Sequence, residues 1–207
     1  TIQSPKKFAE VPAAKRYTEQ TTPKNEVIIA PYDAKNIYMV QLHNQNQQWS
    51  ADRAPIIALF NEYFGGGMNA IVFQELREAR GLAYSAYAQY DSPTRLGDSE
   101  SFYTYIITQN DKMMDCVGEF NKLLNNVPVR QSGFDLAKQS LMKNLASQRT
   151  TKYSVLTSYL ALQRLGLDCS LSEKIYKALP SLQLQDVINF EKEYIANKTF
   201  KYIILGN

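Results

Sequence analysis

The order of strand-like and helix-like segments constrains the fold of this chain most strongly. Runs rich in β-branched and aromatic residues, bounded by turn residues, predict strands at residues 27–30, 37–43, 83–90, 102–108 and 200–205. Apolar residues spaced three or four apart predict helices at residues 51–64, 69–80, 113–124, 132–150, 153–165, 172–179 and 182–196. Strands and helices are therefore segregated instead of alternating. This order predicts an α+β fold in which a mainly antiparallel sheet is covered by helices.

Residues 1–26 differ in composition from the rest of the chain. They contain three prolines and eight charged residues and show no apolar periodicity. We therefore expect residues 1–26 to be a linker or an extended arm with few contacts, and residues 27–207 to form the folded domain. The apolar runs of the chain are far shorter than the roughly 20 residues that a transmembrane helix needs, so no membrane span is predicted. Nothing in the sequence indicates a cellular compartment.

The charge distribution bears on the class of partner. The chain carries a formal charge of +3, and residues 1–26 hold five basic against three acidic side chains. The remainder is nearly balanced and has no dense basic stripe, so a nucleic-acid partner is not predicted. Cys116 and Cys169 both lie in helix-like patterns with apolar neighbours. We expect both to be buried free thiols, since such cysteines behave as small hydrophobic residues; a bridge between them or a reactive thiol is the alternative.

Two familiar kinds of functional site are disfavoured by residue type and spacing. The glycines at residues 65–67 follow a predicted helix and lack the Gly-Lys-Ser/Thr ending of a phosphate loop, so they predict a sharp turn between two helices. His43 is the single histidine of the chain. A hydrolytic zinc site normally uses three protein ligands with histidine prominent, so no metal site is predicted in this chain.

The candidate site lies in the segment that follows the glycines. Arg77 falls in the last turn of a predicted helix, and Tyr84 opens the next strand across a turn at Gly81. A guanidinium group and a phenol that converge on one place can hold a peptide carbonyl or the oxyanion that develops from it. Two alternatives remain open from the residues alone. Arg77 could pair with a helix carboxylate while Tyr84 is an ordinary strand aromatic, or Arg80 could replace Arg77 if the helix phase differs.

Residues 64–84 resemble a motif of the carboxy-terminal, non-zinc half of the insulinase/pitrilysin family of metallopeptidases. The resemblance rests on the glycine cluster, on Phe-Gln-Glu-Leu-Arg-Glu at residues 73–78 and on Arg-Gly-Leu-Ala-Tyr at residues 80–84. Residues 175–206 are more loosely similar to the closing pattern of the family. The resemblance implies that residues 27–207 form a single repeat of the fold shared by insulinase and mitochondrial processing peptidase.

The resemblance also implies a function, with its residues carried over only where they match. Active repeats of the family bind zinc through His-x-x-Glu-His on the first helix, whereas residues 51–64 have no histidine and only Asp52 and Glu62 as acids. Zinc is therefore expected in a partner domain or subunit, and no cofactor in this chain. Family roles in binding a peptide substrate and stabilising the tetrahedral intermediate would fall on Arg77 and Tyr84. The alternative is a homologue retained as a structural or assembly module.

Overall fold

A five-stranded sheet forms the centre of the computed structural model, which describes residues 10, 12–13, 15, 17 and 19–206. The strands are β1 (Glu26–Pro31), β2 (Asn36–His43), β3 (Ser85–Asp91), β4 (Ser101–Gln109) and β5 (Lys201–Gly206). Their order is β1-β5-β2-β4-β3. β5 runs parallel to β1, and the other three neighbouring pairs are antiparallel. The predicted α+β class with a mainly antiparallel sheet is confirmed.

Helices follow the predicted order. The α-helices are α1 (Ala54–Phe60), α2 (Met113–Asn125), α3 (Gln131–Ser147), α4 (Val155–Arg164), α5 (Leu171–Ala178) and α6 (Leu184–Tyr194). The part of the chain that the structure describes also has two π-helical stretches (Asn61–Gly65 and Phe73–Ala79) and two short 3₁₀ turns (Asn110–Lys112 and Leu179–Ser181). None of the helices in the described ranges is long and apolar enough to cross a membrane.

The two faces of the sheet differ in burial. Along β2, Ile37, Met39, Gln41 and His43 are buried, while the residues between them are only half-buried. β3 and β4 show the same alternation over most of their length. The buried face packs against helix side chains in the main hydrophobic core. β2 is an interior strand between β5 and β4, but only one of its faces is fully buried.

The first residue of the glycine cluster at residues 65–67 lets the end of the first helical segment pack against the sheet. α1 continues into the π-helical stretch Asn61–Gly65, and a Cβ atom on Gly65 would lie 1.8 Å from the carbonyl oxygen of Ala88 in β3. Only a residue without a side chain permits this close approach. The predicted turn between two helices is confirmed, and the structure adds the reason why a glycine is needed at its first position.

The last residues of the expected linker, residues 19–25, make more contacts than their composition predicts. Residues 19–25 contain no helix or strand. Thr22 is nevertheless buried, and its backbone N–H donates to the carbonyl oxygen of Asn44 at 2.8 Å. The side-chain oxygen of Asn25 accepts a hydrogen bond from the backbone of Phe200 at 2.7 Å. These bonds anchor the chain where it enters β1. Residues 1–9, 11, 14, 16 and 18 of the expected linker lie outside the described residues.

The two cysteines have different environments. Cys116 is buried in α2, and burial raises the pKa of its thiol to about 11. Cys169 is exposed, because it lies in the turn before α5 and not on the inner face of a helix. The expectation of a free thiol holds at both positions, but the expectation of burial is wrong for Cys169.

Candidate functional site

The backbone between the second π-helix and β3 determines where the candidate residues lie. The π-helix Phe73–Ala79 ends in a turn at Gly81, whose φ of 57° lies in the left-handed region that favours glycine. After the turn, the backbone N–H groups of Leu82 and Ala83 both donate to the carbonyl oxygen of Leu76, at 2.8 and 3.3 Å. The N–H of Tyr84 then donates to Ile107 in β4 at 2.8 Å. Tyr84 is therefore held at the start of the strand, directly beside the end of the helix.

The structure brings Arg77 and Tyr84 together. The guanidinium carbon of Arg77 lies 5.9 Å from the centroid of the Tyr84 ring. It also lies 4.8 Å from the ring centroid of Phe73, one turn earlier on the same helix. Contacts of this kind between a guanidinium group and aromatic faces are attractive. Phe73 was not among the residues predicted for the site, although its position four residues before Arg77 on a helix is a signal for such a contact.

Both candidate donors are accessible to a ligand. The side chain of Arg77 is 45% exposed, and Tyr84 is 74% exposed. The salt bridge of Arg77 is to Glu78, with the two charged groups 3.6 Å apart and Glu78 itself 53% exposed. Exposed pairs of this kind contribute little energy. The alternative in which Arg77 pairs with a helix carboxylate is therefore present only as this weak, exposed salt bridge to Glu78. None of the described residues hydrogen-bonds the Tyr84 hydroxyl.

Arg80 has a different set of contacts. Its guanidinium group lies 3.7 Å from Glu75 and 3.5 Å from Glu119 of α2. Glu75 is also paired with Arg130. These contacts hold Arg80 in an ion-pair network between the π-helix and α2. Of the two arginines considered from the sequence, Arg77 is the one that contacts Tyr84.

A shallow pocket of about 240 Å³ is lined in part by Tyr84. Its lining includes Asn36, Gln109 and Lys112, together with residues 81–84. The ammonium group of Lys112 donates to the carbonyl oxygen of Gly81 at 3.1 Å. The surface around Tyr84 therefore offers hydrogen-bond donors and positive charge, which suits a carbonyl or carboxylate group.

The residues considered for metal binding are distributed differently. Across the described ranges, no three or more His, Cys, Asp or Glu residues cluster closely enough to hold a metal ion. His43 is buried, and its Nδ1 lies 2.8 Å from the carbonyl oxygen of Thr199. Removal from water lowers the pKa of His43. Asp52, before α1, is paired with Lys174 at 2.5 Å. The described residues therefore do not fit a zinc ion.

Comparison with known protein families identifies the class to which this chain belongs. The sequence model described as Peptidase M16 inactive domain matches residues 2–141. This chain belongs to that family. The resemblance to the carboxy-terminal, non-zinc domain of insulinase-like peptidases is thereby confirmed. An uncharacterized zinc protease of Rickettsia bellii is 36% identical over 84 residues, which make up 40% of this chain and 20% of that protein.

Solved structures with the same fold are about twice as long. The peptidase M16 inactive domain from Pseudomonas fluorescens superposes with a TM-score of 0.72 at 19% identity, covering 94% of this chain and 46% of that one. A protease from Helicobacter pylori gives 0.73 at 15% identity, with 96% and 48% covered. A chain of complex III from Candida albicans gives 0.62 at 14% identity, with 88% and 46% covered. This chain therefore spans about half the length of these structures.

Proposed function

We propose that this chain is the non-zinc domain of a zinc metalloendopeptidase, which closes over a zinc-bearing half and is inactive alone. Membership of the inactive-domain family and the double length of the solved relatives support this proposal. Zinc and the groups that activate water would belong to the companion domain of the same polypeptide or to a partner subunit. The substrate would be a peptide held between the two halves.

The contact between Arg77 and Tyr84 is the observation that carries the proposal. The guanidinium group of Arg77, at the end of a helix, lies 5.9 Å from the ring centroid of Tyr84, at the start of a strand, and both side chains are accessible. A guanidinium group and a phenol each donate hydrogen bonds to a peptide carbonyl. These bonds strengthen as the carbonyl oxygen gains negative charge. The two residues would therefore stabilise the transition state more than the bound substrate.

The test replaces each donor in the assembled parent protein. Tyr84→Phe removes only a hydroxyl group that no described residue binds, so the fold is expected to persist. Loss of one oxyanion donor typically lowers the rate by about 10²- to 10³-fold. We expect Tyr84→Phe and Arg77→Ala each to lower kcat by roughly this factor, with a smaller change in KM. Steady-state kinetics on a peptide substrate measures both constants.

A matched control is Tyr32→Phe, which removes the hydroxyl of an exposed tyrosine in the turn after β1. It is expected to leave both constants unchanged. If Tyr84→Phe and Arg77→Ala also behave like wild type, the two residues have a structural role only. The better account would then be an assembly module, an alternative consistent with the likeness of this fold to a chain of complex III.

A further inference from the structure

α4 presents an apolar surface that the described part of the chain leaves uncovered. Nine of its ten residues are exposed, and the tenth is only half-buried. The large apolar side chains of this region, between 40% and 82% exposed, are Tyr153, Val155, Leu156, Tyr159 and Leu160. The last four lie at helical spacing along one side of α4. We call these five residues the α4 patch.

Local hydrogen bonds form this helix, and within the described ranges one backbone hydrogen bond links it to a distant segment. The backbone N–H of Leu96 donates to the carbonyl oxygen of Arg164 at 2.7 Å, at the carboxy end of α4. The turn after the helix is made by Gly166, with a φ of 70°. Isolated helices of this length are marginal in water, and most gain their stability by packing an apolar face. Because α4 turns its apolar side to solvent, its stability would increase if another surface covered it.

The charges close to the α4 patch in the sequence indicate which charge a partner surface should carry. The segment that contains α4, residues 149–167, carries three basic side chains and no Asp or Glu, and these three are Arg149, Lys152 and Arg164. A surface that covers the patch would therefore need an apolar centre, with acidic groups favoured around it. A strongly basic surface would be repelled.

We infer that the α4 patch is the surface on which the companion domain of the same polypeptide docks. This inference rests on the proposed function. The solved relatives are about twice as long as this chain, so a second body of similar size is available within one polypeptide. Tethering gives such a body a high effective concentration. Exposed apolar patches of this kind mark interaction surfaces, and a docked domain would remove the patch from water.

Amide hydrogen exchange of α4 tests the docking directly. In the 207-residue chain, the amides of α4 are expected to exchange rapidly, because local opening of an uncovered helix needs little free energy. In the parent protein we expect them to exchange at least about tenfold more slowly. The double variant Leu156→Ser/Tyr159→Ser in the parent should abolish this protection, while the amides of β4 stay protected and report an intact fold.

A matched control is Met114→Ser on α2, since Met114 is 72% exposed and lies outside the patch. It should leave the protection of α4 unchanged. Equally rapid exchange in the chain and in the parent would overturn the inference. It would also fail if the isolated chain gained the protection on raising its concentration, or on adding phosphatidylglycerol vesicles, because a second copy or an anionic membrane would then be the occupant.

The docking surface and the proposed catalytic role can fail separately. Tyr84→Phe should lower kcat without changing the exchange of α4. Normal kinetics of Tyr84→Phe together with a protected α4 would leave the docking surface standing and reject the catalytic role. Reduced kcat of Tyr84→Phe with an unprotected α4 would reject the docking surface alone.

Discussion

Glu191 is a buried acid whose titration should make the stability of this fold depend on pH. It lies on the inner side of α6, is 1% exposed, and its Oε1 atom has no hydrogen-bond partner among the described residues. Removal from water raises the pKa of the Glu191 carboxyl to about 7, although the charge of neighbouring Lys192 acts in the opposite direction. Glu191→Gln keeps the size of the side chain and removes the titration.

The sign of the effect follows from proton binding. Between pH 4.5, the ordinary pKa of the group, and about 7, the folded chain keeps the Glu191 proton while the unfolded chain has lost it. The free energy of unfolding therefore falls as the pH rises through this window and levels off above it. Each pKa unit is worth about 1.4 kcal/mol, so the contribution of Glu191 should fall by roughly 3 kcal/mol in total.

Urea denaturation of wild type and Glu191→Gln between pH 4 and 8 measures this contribution. Trp49 is the single tryptophan and is buried, so its fluorescence reports unfolding. The difference between the two proteins cancels the opposing titration of His43, whose pKa burial lowers. Glu191→Gln should gain about 2 to 3 kcal/mol relative to wild type on going from low to high pH. A difference that stays constant within about 0.5 kcal/mol would refute the reasoning.

Two further substitutions test the packing around the candidate site. Gly65→Ala places a Cβ atom against the backbone of Ala88 and should lower the free energy of unfolding by about 2 kcal/mol or more. Gly67→Ala, whose Cβ atom would meet open space, should change the free energy of unfolding little. A Gly65→Ala protein that is as stable as wild type in urea denaturation would contradict the close approach of Gly65 to Ala88. Phe73→Leu removes an aromatic contact worth about 0.5 to 1 kcal/mol. The Nε–H resonance of Arg77 should then move towards its value in an unstructured peptide, and an unchanged resonance would show that Phe73 does not position the guanidinium group.

The proximity of Arg77 and Tyr84 was predictable because it is a short-range feature. Seven residues separate them, and Gly81 supplies the turn between a helix end and a strand start. The choice between Arg77 and Arg80 was not predictable in the same way. The choice depends on Glu119 in α2, which is remote in sequence and forms a salt bridge with Arg80. The contact of Arg77 with Phe73 follows from a spacing of four residues on one helix, which is visible in the sequence.

The amino-acid sequence by itself determined the helices and strands, the α+β class, and the lack of a histidine-based zinc motif, because these depend on residue types and on neighbours within a few positions. Tertiary structure alone decided that β5 lies between β1 and β2, parallel to the first, and that one sheet face is buried while the other is partly open. It also decided that Cys169 and α4 are exposed. Strand order and burial arise from contacts between segments far apart in the chain, and the periodicity of one segment carries no record of which other segment will cover it.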